Sequence, residues 1–251
     1  MTSGTGRAAA PLGDGVALPD RVALLLRDRI LSGELAPGTF LRVDRLGEEL
    51  GVSQTPVREA LQSLRADDMV RALPRRGYVV AEMTRGDVAD LFAAQAHLTG
   101  ELAARAAVAV GSTAPGHLAT LREHDAEVGR LLAVCDGQDG GPLETGLALA
   151  HAEHGFHAAV NRAAGSRKLA WLAGCAERYL PPRFYTASAA WRSATRRSHA
   201  TLLDALAAGD AEAAREAMSR HVLDGRDLLL AHLDTIAFWP GDSSTDPTEE
   251  S

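Results

Sequence analysis

From Thr84 to about residue 235 the apolar residues recur every three to four positions, and no stretch alternates for long enough to make a strand. That periodicity predicts helices over residues 84–110, 116–134, 143–163, 166–190, 191–208 and 210–235. "GSTAPG" and "CDGQDGGP" interrupt it as loops, Gly209-Asp210 reads as a helix stop followed by a cap, and Pro181-Pro182 breaks or kinks the fourth helix. Helices with one apolar stripe each bury those stripes against one another, so this part of the chain is expected to be an all-α bundle. No run reaches the length of a membrane span, since "LAARAAVAV" is short and carries Arg105.

The segment before Thr84 is organised differently. "LPDRVALLLRDRILSGEL" carries an apolar stripe of Val22, Leu25, Leu26, Ile30 and Leu31 that Gly33 ends, and "APGTF" reads as a turn. "VDRLGEEL" is a short helix with Leu46 and Leu50 inward, and Gly51 permits a sharp exit from it. "SQTPVREALQSLRADDM" is the next helix, with Ser53 placed to cap it and Pro56 tolerated in the first turn, where its missing N–H has no helical duty. "VRAL" and "YVVA" then flank "PRRG" as a β-hairpin. Two short helices joined by "LGVS", a further helix and a basic hairpin are the layout of a winged helix-turn-helix. The chain therefore divides into a disordered lead-in (1–17), a winged helix-turn-helix (18–82), an all-helical domain (83–236) and an acidic disordered tail (237–251).

A net charge of −7 argues against a nucleic-acid partner only if it is spread evenly. It is not: residues 18–82 hold ten basic and ten acidic residues, residues 83–238 come to −3, and the tail "WPGDSSTDPTEES" supplies −4. The lead-in "MTSGTGRAAAPLGDGVALP" has no apolar core of a secretory signal, and Cys135 and Cys175 follow no metal or redox spacing, so a cytoplasmic protein is expected.

On the helix after Ser53, Val57, Leu61 and Leu64 share one face, while Thr55, Arg58 and Gln62 lie opposite and Gln54 sits at the exposed start. Arginine pairs with guanine O6 and N7, and glutamine bridges adenine N6 and N7, in the major groove. Ser53 and Thr55 at the helix N-terminus suit phosphate, and Arg75, Arg76 and Gly77 at the hairpin tip would meet a flanking groove. The competing reading is a packing module with a solvated face.

"HAEHGFHAAVNR" places Glu153 and His157 on one helical face, among Leu149, Phe156 and Val160; His151 points nearly opposite and His154 lies at the flank. On a later helix His199 shares a face with Leu202, Leu203 and Leu206, and on the last helix His221 shares one with Ala214, Ala217, Met218 and Leu228. Three histidines and a carboxylate from inward stripes suit a divalent metal, zinc first, with nickel or manganese as alternatives. Hydrogen-bonded structural histidines are the other reading. A metalloenzyme activating water is a third, although no general base or nucleophile stands out beside the four groups.

The stretch "LRDRILSGELAPGTFLRVDRLGEELGVSQTPVREALQSLRADDMVRALPRRGYVV" resembles, along its whole length, the DNA-binding domain of GntR-family bacterial transcription regulators. "GELAPG", "LGVSQTPVREAL" and "RRGYVV" fall in the family's order and spacing, while Gln54 replaces a frequent arginine and Asp68 a usual glycine. Residues 84–235 resemble the helical effector domain of the FadR subfamily, the FCD domain. Metal-binding members carry Asp-x-x-Phe-His, a histidine in a Ser-or-Glu-His pair, and a last histidine 22 residues on; Glu153, Phe156 and His157, then Ser198-His199, then His221 correspond at that spacing. Glu153 stands for the usual Asp, His151 and His154 match no ligand, and His232 lies too far along its helix. The resemblance implies a metal at the floor of a pocket for a small carboxylate effector. There Gln95 and Thr99 replace a frequent Arg and Glu, and Arg192, two turns before His199, is the substitute anchor. Trp171, Tyr179, Tyr185 and Trp191 are read as core aromatics, with pocket lining as the alternative. It further implies no enzyme but a homodimeric regulator, commonly a repressor, whose two recognition helices meet a palindromic double-stranded DNA operator.

Overall fold

The computed structural model describes residues 17–74, 76–112, 115–136, 143–176, 182–236 and 238–239. Arg75, Tyr179 and nearly all of the two stretches read as disordered ends lie outside these residues. The chain forms two compact units, one up to Met83 and one from Thr84 to Trp239.

The first unit contains α1 (Leu18–Leu31), β1 (Phe40–Leu41), α2 (Val43–Leu50), α3 (Gln54–Ala66), β2 (Val70–Leu73) and β3 (Gly77–Val80). Its core is Leu26, Ile30 and Leu31 from α1 with Val57, Leu61 and Leu64 from α3, all buried. Gly51 ends α2 at φ +67, the left-handed conformation that turns the chain sharply into α3. The expected hairpin of β2 and β3 is present, pairing Val70 with Val80 and Leu73 with Gly77. The turn expected at "APGTF" is followed by a strand that the sequence reading missed. β1 pairs Phe40 with Val79 and Leu41 with Tyr78, so β3 lies in the middle of a three-stranded antiparallel sheet. Two residues are too few to show a period, which hid β1 in the sequence.

The α1 stripe also holds two charged residues. Arg27 and Asp28 are buried, and Arg27 donates to Asp67 at 2.7 Å, clipping α1 to the end of α3. Asp68 follows with φ +54, and the α3 terminus closes with Asp68 N–H on Arg65 O (3.1 Å) and Met69 N–H on Leu64 O (2.9 Å). That bond pair is the Schellman closure, which places glycine at Asp68's position in most chains.

The second unit comprises α4 (Arg85–Ser112), α5 (Pro115–Cys135), α6 (Leu143–Ala163), α7 (Arg167–Ala176), α8 (Pro182–Ala187), α9 (Ala189–Ala208) and α10 (Ala211–Thr235). The helix expected over 166–190 is α7 and α8 among the described residues, and α9 begins at Ala189, where Ser188 accepts from the Trp191 N–H at 3.1 Å. Asp210 caps α10 by accepting from the N–H groups of Glu212 and Ala213. α4 runs along α10 and α9: Ser219 donates to the Ala96 carbonyl at 3.0 Å, and Gly111 meets Gly209 so closely that a Cβ on Gly111 would lie 3.2 Å from its Cα. Two residues of the stretch expected as tail are described: Phe238 is buried and Trp239 donates to Asp234 at 2.6 Å. No helix among the described residues is long and apolar enough to cross a membrane.

Candidate metal centre and DNA-reading surface

In the first unit, burial divides α3 as its periodicity requires. Val57, Ala60, Leu61 and Leu64 are buried, whereas Ser53, Gln54, Thr55, Arg58 and Gln62 are exposed. Arg65 is exposed too; at three and seven residues from Gln62 and Arg58 it extends the same outward row, a spacing that the sequence reading passed over. Ser53 occupies the N-cap position but its side chain makes no capping bond, which leaves the hydroxyl for another partner. Arg58 leans on Gln54 at 3.4 Å along the helix. At the hairpin, Arg76 is exposed, while Gly77 has a packing reason to be glycine. Its φ is +104 and a Cβ there would stand 2.8 Å from the Leu41 carbonyl oxygen.

In the second unit, α6, α9 and α10 bring four polar side chains to one place. Ligand atoms of Glu153, His157, His199 and His221 all lie within 4.8 Å of one another. His157 Nε2 is 3.2 Å from His221 Nε2 and 3.8 Å from Glu153 Oε2, and His199 Nε2 is 3.5 Å from the same oxygen. Phe156, the neighbour of His157, stacks on the His199 ring with centroids 4.0 Å apart. His151 and His154 are exposed, as their helical phase requires. His232 packs against Phe184 instead, with centroids 5.7 Å apart.

The four groups act strongly on one another's charge. Burial and the neighbouring histidines push His221 down to about 3. Burial also opposes charge on His199, but the Glu153 and Asp125 carboxylates prevail and raise it to about 9. Burial works against a Glu153 carboxylate, yet the three imidazoles hold its pKa below the usual range. Glu153 Oε1 and His199 Nε2 are buried with no hydrogen-bond partner among the described residues. Donors on a tetrahedral zinc stand about 3.3 Å apart, given bonds of about 2.0–2.1 Å. The separations of 3.2, 3.5 and 3.8 Å run from about that value upward and the whole set lies within 4.8 Å, so the donor types suit such an ion and binding it would draw the wider pairs inward. The Glu153 carboxylate reaches the cluster, its Oε2 standing 3.5 Å from His199 Nε2.

In the same unit, Gln95 and Thr99 on α4 and Thr195 on α9 are buried. The Thr99 hydroxyl donates to the Gln95 carbonyl at 2.8 Å, whereas Gln95 Oε1 and Thr195 Oγ1 have no partner among the described residues. Arg192 is not the open anchor expected from sequence. It is buried, its Nε meets Asp136 at 3.2 Å, and its Nη1 donates to the Thr186 carbonyl. Asp136 also holds Arg196 at 2.6 Å. Trp191 is buried as a core aromatic should be, but Trp171 is 66 % exposed and belongs to no core; the Tyr185 side chain lies outside what the structure describes.

A winged helix-turn-helix joined in one chain to a helical domain with a buried donor cluster defines a DNA-binding regulator. The comparisons carry this further. The chain matches the bacterial regulatory proteins of the gntR family over residues 18–80 and the FCD domain over residues 90–224. It belongs to the GntR family of bacterial transcriptional regulators, in the FadR-like group that carries an FCD domain. An HTH-type transcriptional regulator of Streptomyces ambofaciens is 30% identical over 84% of this chain and 86% of its own length. A probable D-xylose utilization operon transcriptional repressor of Paenarthrobacter nicotinovorans is 30% identical over 80% of this chain and 85% of its own. Two further matches are shorter: the chain spans 58% of a regulator of Agrobacterium vitis and 29% of the gluconate operon transcriptional repressor of Bacillus licheniformis, the latter at 40% identity over 29% of this chain. Among solved structures, E. coli McbR/YncC superposes with a TM-score of 0.62 at 25% identity, covering 86% of this chain and 99% of that one.

Proposed function

We propose that this chain is a cytoplasmic, homodimeric repressor that binds a palindromic operator and responds to a small carboxylate through a metal centre in its FCD domain. The observation that carries the reading is the convergence of Glu153, His157, His199 and His221, two of whose buried atoms have no hydrogen-bond partner among the described residues, in a protein that also presents an exposed recognition helix. Burying that much unmet polarity is costly unless something satisfies it. Zinc is the first candidate, because imidazole and carboxylate together suit it. Bound there, the ion would supply positive charge to which a carboxylate can be directed. The Gln95 amide oxygen and the Thr195 hydroxyl would take up the polar remainder of such a ligand. The relatives, named as transcriptional regulators and repressors, support a sensor rather than an enzyme.

Elemental analysis tests the metal half. Wild type should carry about one divalent transition metal per chain, as one site of this ligand type holds. His157→Ala, His199→Ala and His221→Ala should each lose most of it, and His151→Ala and His154→Ala should keep it. Equal losses in all five variants would refute the site. The DNA half is tested by gel shift, where Arg58→Ala should cost about 1–3 kcal/mol and relax one base position per half-site. Arg75→Ala and Arg76→Ala should weaken binding evenly across sequences and flatten its salt dependence.

A further inference from the structure

Two side chains that supply no donor to the cluster hold the rings that do. Asp125, on α5, a helix that contributes none of the four donors, places Oδ1 2.9 Å from His199 Nδ1. Ser198, on α9, places its Oγ 2.8 Å from His221 Nδ1 on α10. We infer that Asp125 and Ser198 are positioning residues that fix the tautomers of His199 and His221, so that both rings turn Nε2 toward the cluster. This rests on the metal reading above.

The hydrogen-bond pattern carries the argument. A hydroxyl has one proton, and Ser198 Oγ lies 3.1 Å from the Thr195 carbonyl, which can only accept, so the proton is assigned to that carbonyl. Toward His221 it can then only accept, so His221 carries its proton on Nδ1 and offers a bare Nε2, 3.2 Å from His157 Nε2. A carboxylate accepts only, so the Asp125 contact likewise places a proton on His199 Nδ1. Nε2 of His199 then faces Glu153 Oε2 at 3.5 Å. Outer hydrogen bonds of this kind set which ring nitrogen is available and hold the ring at a fixed angle. The Asp125 side chain is a third exposed while that of His199 is almost fully buried, so the contact is anchored at the protein's edge and directed inward. It also ties α5 to a cluster built on α6, α9 and α10.

The test titrates zinc against a chromophoric chelator in wild type and in Asp125→Ala, Asp125→Asn, Ser198→Ala and, as a control on α5, Glu127→Ala, whose side chain pairs only with Arg130 among the contacts described at the surface. Asp125→Ala and Ser198→Ala should each bind zinc about 10–100-fold more weakly, as loss of an outer partner does. Asp125→Asn keeps an acceptor oxygen and should recover part of the loss, and Glu127→Ala should match wild type. Imidazole nitrogen resonances of the metal-free wild type provide a measurement that needs no variant to fold. They should show His221 protonated on Nδ1 and not on Nε2; a proton on Nε2 alone overturns the assignment. If wild type binds zinc and both alanine variants bind it within about twofold, the positioning roles fall and the metal reading stands. If wild type binds no zinc, the metal reading falls and takes this one with it.

Discussion

Asp68 shows what a single backbone angle demands. It sits at φ +54 in the closure of α3, where an L side chain brings its Cβ against the neighbouring carbonyl, and aspartate bears this better than most residues. Asp68→Gly should therefore leave thermal stability unchanged or raise it slightly, whereas Asp68→Val should cost about 1–2 kcal/mol, measured by denaturant melts. A tolerated valine would show that the angle relaxes. His199 and His221 set a second residue-level expectation, for the metal-free protein. His199 is raised to about 9 in the fold, so its contribution is complete below its ordinary value of 6.5 and disappears as pH climbs through 9. His221 is depressed to about 3, so its contribution is complete above 6.5 and disappears as pH falls toward 3. The melting temperature in chelator should consequently peak near pH 6.5 and decline on both sides. With zinc added, the decline above 6.5 should vanish, because a ligating His199 no longer holds the proton whose loss caused it. A flat profile in chelator would contradict both shifts.

At the scale of elements, legibility followed period. The helices of the second unit run for many turns, and their predicted limits at residues 143–163 coincide with those of α6. That Glu153, His157, His199 and His221 each face inward was legible for the same reason, since 3.6 residues per turn fixes which side chains share a face, but that they meet in one cluster was implied only by the family resemblance. β1 could not be read because two residues have no period, and the Asp125 and Ser198 contacts could not because they cross between helices. Arg27 was the sharpest miss. A charge inside an apolar stripe reads as a flank until its partner, 40 residues on, is placed beside it. With both side chains about 7% exposed, the Arg27–Asp67 pair is buried enough that breaking it should be costly. Arg27→Met alone should destabilise the DNA-binding unit by about 3–5 kcal/mol, and adding Asp67→Leu should recover much of that. Calorimetry of the full chain reads both, and a single variant as stable as wild type would demote the pair to a surface contact.

For the whole molecule the question is whether the two units communicate, and Arg192 gives it a sign. As folded, its guanidinium is committed to Asp136 and the Thr186 carbonyl. A carboxylate effector reaching Arg192 must displace Asp136, an internal competitor of the same chemistry. Arg192→Ala should then weaken the effector, and Asp136→Ala should strengthen it, with metal content intact in both variants. If Arg192 only braces the fold, both variants should lose stability and neither should gain affinity. The measurement begins with a thermal-shift screen of small organic acids on zinc-loaded and zinc-free protein, where a hit should favour the loaded form. Operator titration with and without that hit follows. Coupling between two sites on one protein is reciprocal, so the factor by which the acid changes operator affinity must equal the factor by which operator changes acid affinity. A typical coupling of about 1–3 kcal/mol would appear as a shift of roughly 5–150-fold in each direction. An acid that binds at the metal and leaves operator affinity untouched would show that the helical domain holds a ligand without reporting it to DNA.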